Sequence, residues 1–70
     1  MGAVTRGSVN ESAARSALVD MRQQALYTMK AIRDEDDAKA TKHRLAFETA
    51  LANYTRITGY TMTLASAAAL

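Results

Sequence analysis

The stretch Lys30-Ala31-Ile32-Arg33-Asp34-Glu35-Asp36-Asp37-Ala38-Lys39 sets four consecutive acids between two helix-forming runs. Lys30 and Arg33 complement the carbonyl end of a preceding helix, while the acids repel one another and favour the amide end of a following one. Asp36 or Asp37 is a suitable cap for the amides exposed there. One acidic run therefore closes a helix and opens the next, and with so few residues between them the two helices fold back as an antiparallel hairpin. This predicts an all-α protein with a helix over residues 10–33, an acidic turn over 34–37 and a longer C-terminal helix over 37–69.

Composition agrees with that reading. Proline is absent, glycine occurs only at positions 2, 7 and 59, and Ala, Leu, Met, Arg and Lys dominate the body of the chain. In the first helix Ala14, Leu18, Met21, Ala25, Met29 and Ile32 recur at steps of three and four, which makes one apolar stripe. Asn10 or Ser12 is the expected N-cap, with Glu11 beside the positive end of the dipole. Residues 1–9 mix Gly, Ser, Thr and Arg without a period and read as a flexible or extended arm, with Val4 and Val9 as small anchors. In the second helix Phe47, Ala50, Tyr54, Ile57, Thr61, Leu64 and Ala68 alternate steps of three and four over about three heptads.

Residues 57–70 carry no charge, and the chain finishes Leu64-Ala65-Ser66-Ala67-Ala68-Ala69-Leu70. A free surface helix keeps a polar face toward water, and here that face vanishes after Arg56. Outside the main stripes lies a second set of apolar residues: Val19, Leu26 and Tyr27 on the first helix, and Leu45, Leu51, Tyr60, Met62, Ala65 and Ala69 on the second. A two-helix hairpin buries one stripe per helix, so the excess predicts contact with other chains. A scaffold of this size commonly needs a disulfide, a metal or oligomerisation for stability. Cysteine is absent and His43 is the only histidine, which leaves oligomerisation and favours an assembly module over an enzyme.

The chemical motifs have bland competitors that fit better. The acidic tetrad lacks the spaced ligands, central glycine and terminal glutamate of a calcium loop, so no metal is expected there. His43 has Glu48 nearby but no nucleophile to activate, and no catalytic residue, cofactor or small-molecule substrate is assigned. Lys39, Lys42, His43 and Arg44 read as a solvated helix face. The net charge is only +2 and the basic residues are scattered, which disfavours nucleic acid as a partner. Met1-Gly2 begins like a myristoylation site but has Arg6 where Ser or Thr is required. No cleaved signal peptide is expected, and the uncharged C-terminal stretch is shorter than the roughly 20 residues that span a bilayer. The sequons at Asn10-Glu11-Ser12 and Asn53-Tyr54-Thr55 are short, and the second falls on a predicted helix.

An arm, a helix, a polar turn and a longer C-terminal helix resemble the needle and inner-rod subunits of bacterial type III secretion systems. The more specific part is the acidic turn, the helix containing Leu45, and then Leu51-Ala52-Asn53-Tyr54-Thr55-Arg56, which is similar to the needle-protein helix where a Tyr-Asn or Asn-Tyr pair is soon followed by Arg. The chain differs in having no proline in the turn and in ending Ala-Ala-Ala-Leu. The resemblance implies a structural subunit that self-assembles into a helical filament through which proteins are exported. Phe47, Leu51, Tyr54, Ile57, Tyr60, Leu64, Ala68, Leu18, Met21, Met29 and Ile32 are then expected in subunit contacts, with Lys42, Arg44 and Arg56 on a polar or lumen face. It implies a homo-oligomer, other secretion-apparatus proteins as partners, and an extracellular or cell-surface location in bacteria; without it the expected place is the cytoplasm. The alternatives are a closed four-helix-bundle adaptor and then a small nucleic-acid-binding helical protein.

Overall fold

The protein is described here by a computed structural model, which covers the backbone of residues 2–70 and the side chains of residues 11–70. Met1 and the expected anchors Val4 and Val9 lie outside the described residues or side chains. Helix α1 runs Gly2–Arg33, α2 runs Asp37–Thr58 and a short α3 runs Leu64–Ala68. The first two form the antiparallel hairpin, and α3 folds back against α1.

The acidic turn is built largely as its sequence requires. The Glu35 N–H donates to the Ile32 carbonyl at 3.0 Å and the Asp36 N–H reaches back to the Ala31 carbonyl at 2.9 Å. This pair of bonds is the Schellman closure, and it places Glu35 in the left-handed region at φ 58°. Asp36 then caps α2 by accepting from the Lys39 N–H through Oδ1 at 3.1 Å. The Lys39–Asp36 ion pair, at 4.0 Å between exposed groups, adds little beyond that.

Two boundaries differ from the sequence expectation. Helix α1 starts at Gly2, so residues 2–9 are helical backbone where an arm was expected, and Asn10 is inside the helix, not at its cap. No proline interrupts this segment, and adding a residue to an existing helix is much easier than nucleating one. The second difference is at the other end, where the helix expected over 37–69 breaks after Thr58. Gly59 adopts φ 80° and its N–H donates to the Thr55 carbonyl at 2.7 Å. Thr58 Oγ1 donates to the Tyr54 carbonyl at 2.9 Å and accepts from the Tyr60 N–H at 3.1 Å. The run Thr55 to Thr63 is rich in β-branched residues, whose restricted χ1 lowers helix propensity, and glycine makes the left-handed exit easy. Thr63 opens α3 by accepting from the Ser66 N–H at 3.1 Å.

The fold-back supplies the cover that a two-helix hairpin lacks. Met21, Ala25, Phe47 and Ala67 form the buried cluster, with Leu18, Ala50, Leu51, Tyr54, Met62, Leu64 and Ala68 packed around it. Arg22 Nε donates to the Leu70 backbone oxygen at 3.0 Å and tacks the end of the α3 segment to α1. Toward the turn the stripe of α1 changes composition. Ala31 and Thr28 are buried there, while Met29 and Ile32, the bulkier residues of the expected stripe, are exposed. Small residues at that end, with Ala40 half-buried on α2, permit the helices to approach closely. Thr28 is accommodated because its Oγ1 donates to the Gln24 carbonyl at 2.7 Å, which removes the cost of burying a hydroxyl.

Glu35 gives a direct check on the turn. Glu35→Gly is expected to raise stability by about 0.5–1 kcal/mol, because glycine adopts a positive φ without the Cβ penalty and this outweighs its greater freedom when unfolded. Thermal unfolding should show a gain of a few degrees. Glu35→Ala, which removes the same charge but keeps the Cβ, should not reproduce it.

Candidate functional site

Polar groups in the middle of the hairpin are matched to one another. His43 Nδ1–H donates to Gln24 Oε1 at 2.8 Å across the helix interface, and the His43 ring lies beside Tyr27 with centroids 5.0 Å apart and a tilt of 49°. Tyr27 Oη in turn accepts from Gln23 Nε2 at 3.0 Å. His43 thus joins two helices and sits half-buried, in a setting of hydrogen bonding and packing. Among the described residues every buried side-chain nitrogen and oxygen has a partner.

An open recess of about 250 Å³ lies at the turn end, lined by Tyr27, Lys30, Ala31, Asp34, Asp36, Lys39 and His43. Its two lysines and two aspartates oppose one another in charge, and neither a serine nor a cysteine lines it. No group of three or more His, Cys, Asp or Glu side chains converges with metal-binding geometry among the described residues. The acidic tetrad stands as a turn and cap, the role its sequence suggests. No helix among the described residues is long and apolar enough to cross a membrane.

The features that call for a functional explanation are apolar and exposed. Val19 and Leu26, seven residues apart, share one face of α1; Met29 and Ile32, three apart, lie near its end; Leu45, two residues before buried Phe47, points to the opposite side of α2. Tyr60, in the connector after α2, is 70% exposed, and Leu70 is 52% exposed. These side chains lie around the hairpin on faces its own core does not use. Scattered apolar side chains are ordinary on a surface, but here they outnumber the large apolar side chains inside.

The structure sorts the residues expected in subunit contacts into three groups. Met21 and Phe47 lie inside the chain's own core, which corrects their assignment: the α3 fold-back covers the stripe that a continuous helix would have left open. Leu18, Leu51, Tyr54, Leu64 and Ala68 are half-buried around that core, and Ile57 is half-buried on α2. Met29, Ile32 and Tyr60 are exposed, as are Lys42, Arg44 and Arg56 of the expected polar face. Arg56 is held by its own helix, donating from Nη2 to Asn53 Oδ1 at 2.6 Å. Ala17, Thr28, Ala31 and Ala67 are buried, though none was singled out as an apolar-stripe residue from sequence. The stripes read from sequence already contained Ala14, Ala25, Ala50 and Ala68, so register and not size hid these four: beyond Ala25 the buried side of α1 steps by three to Thr28 and Ala31 instead of by four to Met29.

Comparison with family models, curated proteins and solved structures returned no match. The residues themselves therefore carry the functional argument.

The contrast between inner and outer positions is testable. His43→Ala should lower stability by about 1 kcal/mol through loss of the inter-helix hydrogen bond. Phe47→Ala, which empties the core cluster, should cost roughly 3–5 kcal/mol. Leu45→Ala should stay within about 0.5 kcal/mol. Urea unfolding of dilute protein, where self-association is minimised, separates the three.

Proposed function

We propose that the protein is a structural subunit that works by self-association, its hairpin being the repeating element and its outer apolar faces the contacts. What supports this most is one observation: Val19, Leu26, Ile32, Leu45 and Tyr60 are exposed, while the core contains few bulky side chains. A hairpin with so small a core gains most from burying those faces, since removing apolar surface from water stabilises by about 25 cal/mol per Å². A second copy of the chain carries the same faces. No catalytic residue, metal or small-molecule substrate belongs to this reading.

An open assembly is the form this reading favours. Val19 and Leu26 on α1 and Leu45 on the back of α2 are different surfaces, so a contact that joins one kind to another is heterologous, and where its rotation does not close into a ring it generates an open helical array. This agrees with the secretion-needle resemblance carried by Asn53-Tyr54-Thr55-Arg56, and under it the chain is a filament subunit at the bacterial cell surface, with exported protein passing along a conduit. Lys42, Arg44 and Arg56, exposed on α2, are the polar groups available to such a channel.

Leu26→Asp is the deciding variant. Leu26 is exposed, so the hairpin should keep its helical content by circular dichroism, while an aspartate buried without a partner between subunits would oppose assembly. Wild-type protein is expected to show scattering that grows with concentration and filaments by negative-stain electron microscopy, with Leu26→Asp monomeric under the same conditions. A wild-type chain that stays monomeric at every concentration removes the reading. A discrete small oligomer replaces the filament with a closed bundle.

A further inference from the structure

The α3 segment occupies a groove on the α1–α2 hairpin in a way that does not require both to come from one molecule. We propose that α3 of one chain docks into the groove of a second copy, with Gly59–Thr63 as the hinge that redirects it. The inference rests on the self-association reading and adds a second contact to the outer faces.

Three observations converge on this exchange. The first is the fit already described, in which Ala67 completes the cluster of Met21, Ala25 and Phe47 while Leu64 and Ala68 pack beside it. A second copy presents an identical groove. The second observation is the connector. Residues 59–63 are non-helical, and Tyr60 and Thr61 are exposed. The hydrogen bonds at its start are the Gly59 N–H to Thr55 and the Tyr60 N–H to Thr58 Oγ1, both local to the end of α2. The connector itself is therefore held only locally, and α3 is kept in place by its own packing in the groove and by the Arg22–Leu70 hydrogen bond.

The third observation is in the sequence. The apolar period Tyr54, Ile57, Thr61, Leu64, Ala68 continues in steps of three and four straight across the break, although a helix that stops at Thr58 has no need of it. Such spacing suits a continuous helix as well as the bent form. In a continuous helix of 3.6 residues per turn, Ala67 stands twenty residues beyond Phe47 and so about 200° around the axis from it. The face of Leu64, Ala67 and Ala68 that now enters the chain's own groove would then be centred about 100° around the axis from Phe47, turned sideways from its own cluster and open to a neighbour. Straightening also aligns exposed Tyr60 with Ile57 and Leu64 at spacings of three and four, so that the exposed tyrosine gains apolar neighbours on one face.

Gly59 sets the balance between the two forms. A Cβ built there meets nothing within 4 Å, so Gly59→Ala introduces no clash and acts through the positive φ alone. It penalises the bend and favours the continuous helix, which withdraws α3 from its own groove and leaves that groove for the α3 of a second copy.

The test uses full-length chains, which contain no natural cysteine. Arg22→Cys and Leu70→Cys mark the groove and the end of the α3 segment, whose Arg22–Leu70 contact spans 3.0 Å. The two single variants, one isotopically labelled, are mixed at concentrations where scattering shows association, treated with a short bis-maleimide and read by mass spectrometry. Mixed-chain pairs above the statistical share are expected, with a several-fold rise when Gly59→Ala is added to both chains. Association with mixed pairs only at the statistical share would overturn exchange and leave self-association through the outer faces intact. Absence of association at any concentration would overturn both. The double variant, Arg22→Cys with Leu70→Cys, cross-links within one dilute chain if the marked positions are close enough to report the docked state; failure there would overturn the docking geometry itself.

Discussion

The cluster of Met21, Ala25, Phe47 and Ala67 is the constraint on which the rest of the protein depends. Each of the three helices contributes to it, and without Ala67 the groove over Phe47 would be open to water. Around so small a centre the remaining stability comes from the half-buried ring of Leu18, Leu51, Tyr54 and Leu64, from helix caps, and from the His43–Gln24 bond across the hairpin. Chains of this length sit close to the limit of independent folding, so each of these contributions is a sizeable part of the total.

Local chemistry and packing meet at both ends of α2. At its start, Asp36 holds the Lys39 amide and the Schellman bonds close the preceding helix, so the turn needs only its backbone and one carboxylate. At its finish, Gly59 and the hydroxyl of Thr58 end the helix through hydrogen bonds local to that end. The first end fixes how α1 and α2 face one another. The second turns the apolar terminal segment back toward α1, where Ala67 completes the core.

Much of this architecture was legible in the sequence. The acidic run identified the turn, Lys30 and Arg33 marked the end of α1, and the spacing of Leu18, Met21 and Ala25 found the buried side of that helix. The same stripe read past Ala25 predicted Met29 and Ile32, whereas the structure buries Thr28 and Ala31, because close approach near a tight turn selects small side chains over bulky ones. The break at Gly59 was hidden by an apolar period that runs through it, and the helical start at Gly2 was hidden because propagation does not require a periodic pattern. Of the expected contact residues, Tyr60, Met29 and Ile32 are exposed, while Met21 and Phe47 are inside the core. Periodicity marks which residues leave water and is silent about whose chain covers them.

The small side chains near the turn have a mechanical consequence. Thr28 and Ala31 are buried and Ala40 is half-buried near the turn, and the cluster that receives Ala67 lies within about two helical turns farther along. Two stiff rods joined at one end behave as tweezers, with their fulcrum at this pinch. A methyl group added there separates the arms by a fraction of an ångström locally, and the helices magnify that displacement along their length. The fit of the terminal helix is thus governed by residues that never touch it, which makes the pinch a remote control on the mouth of the groove.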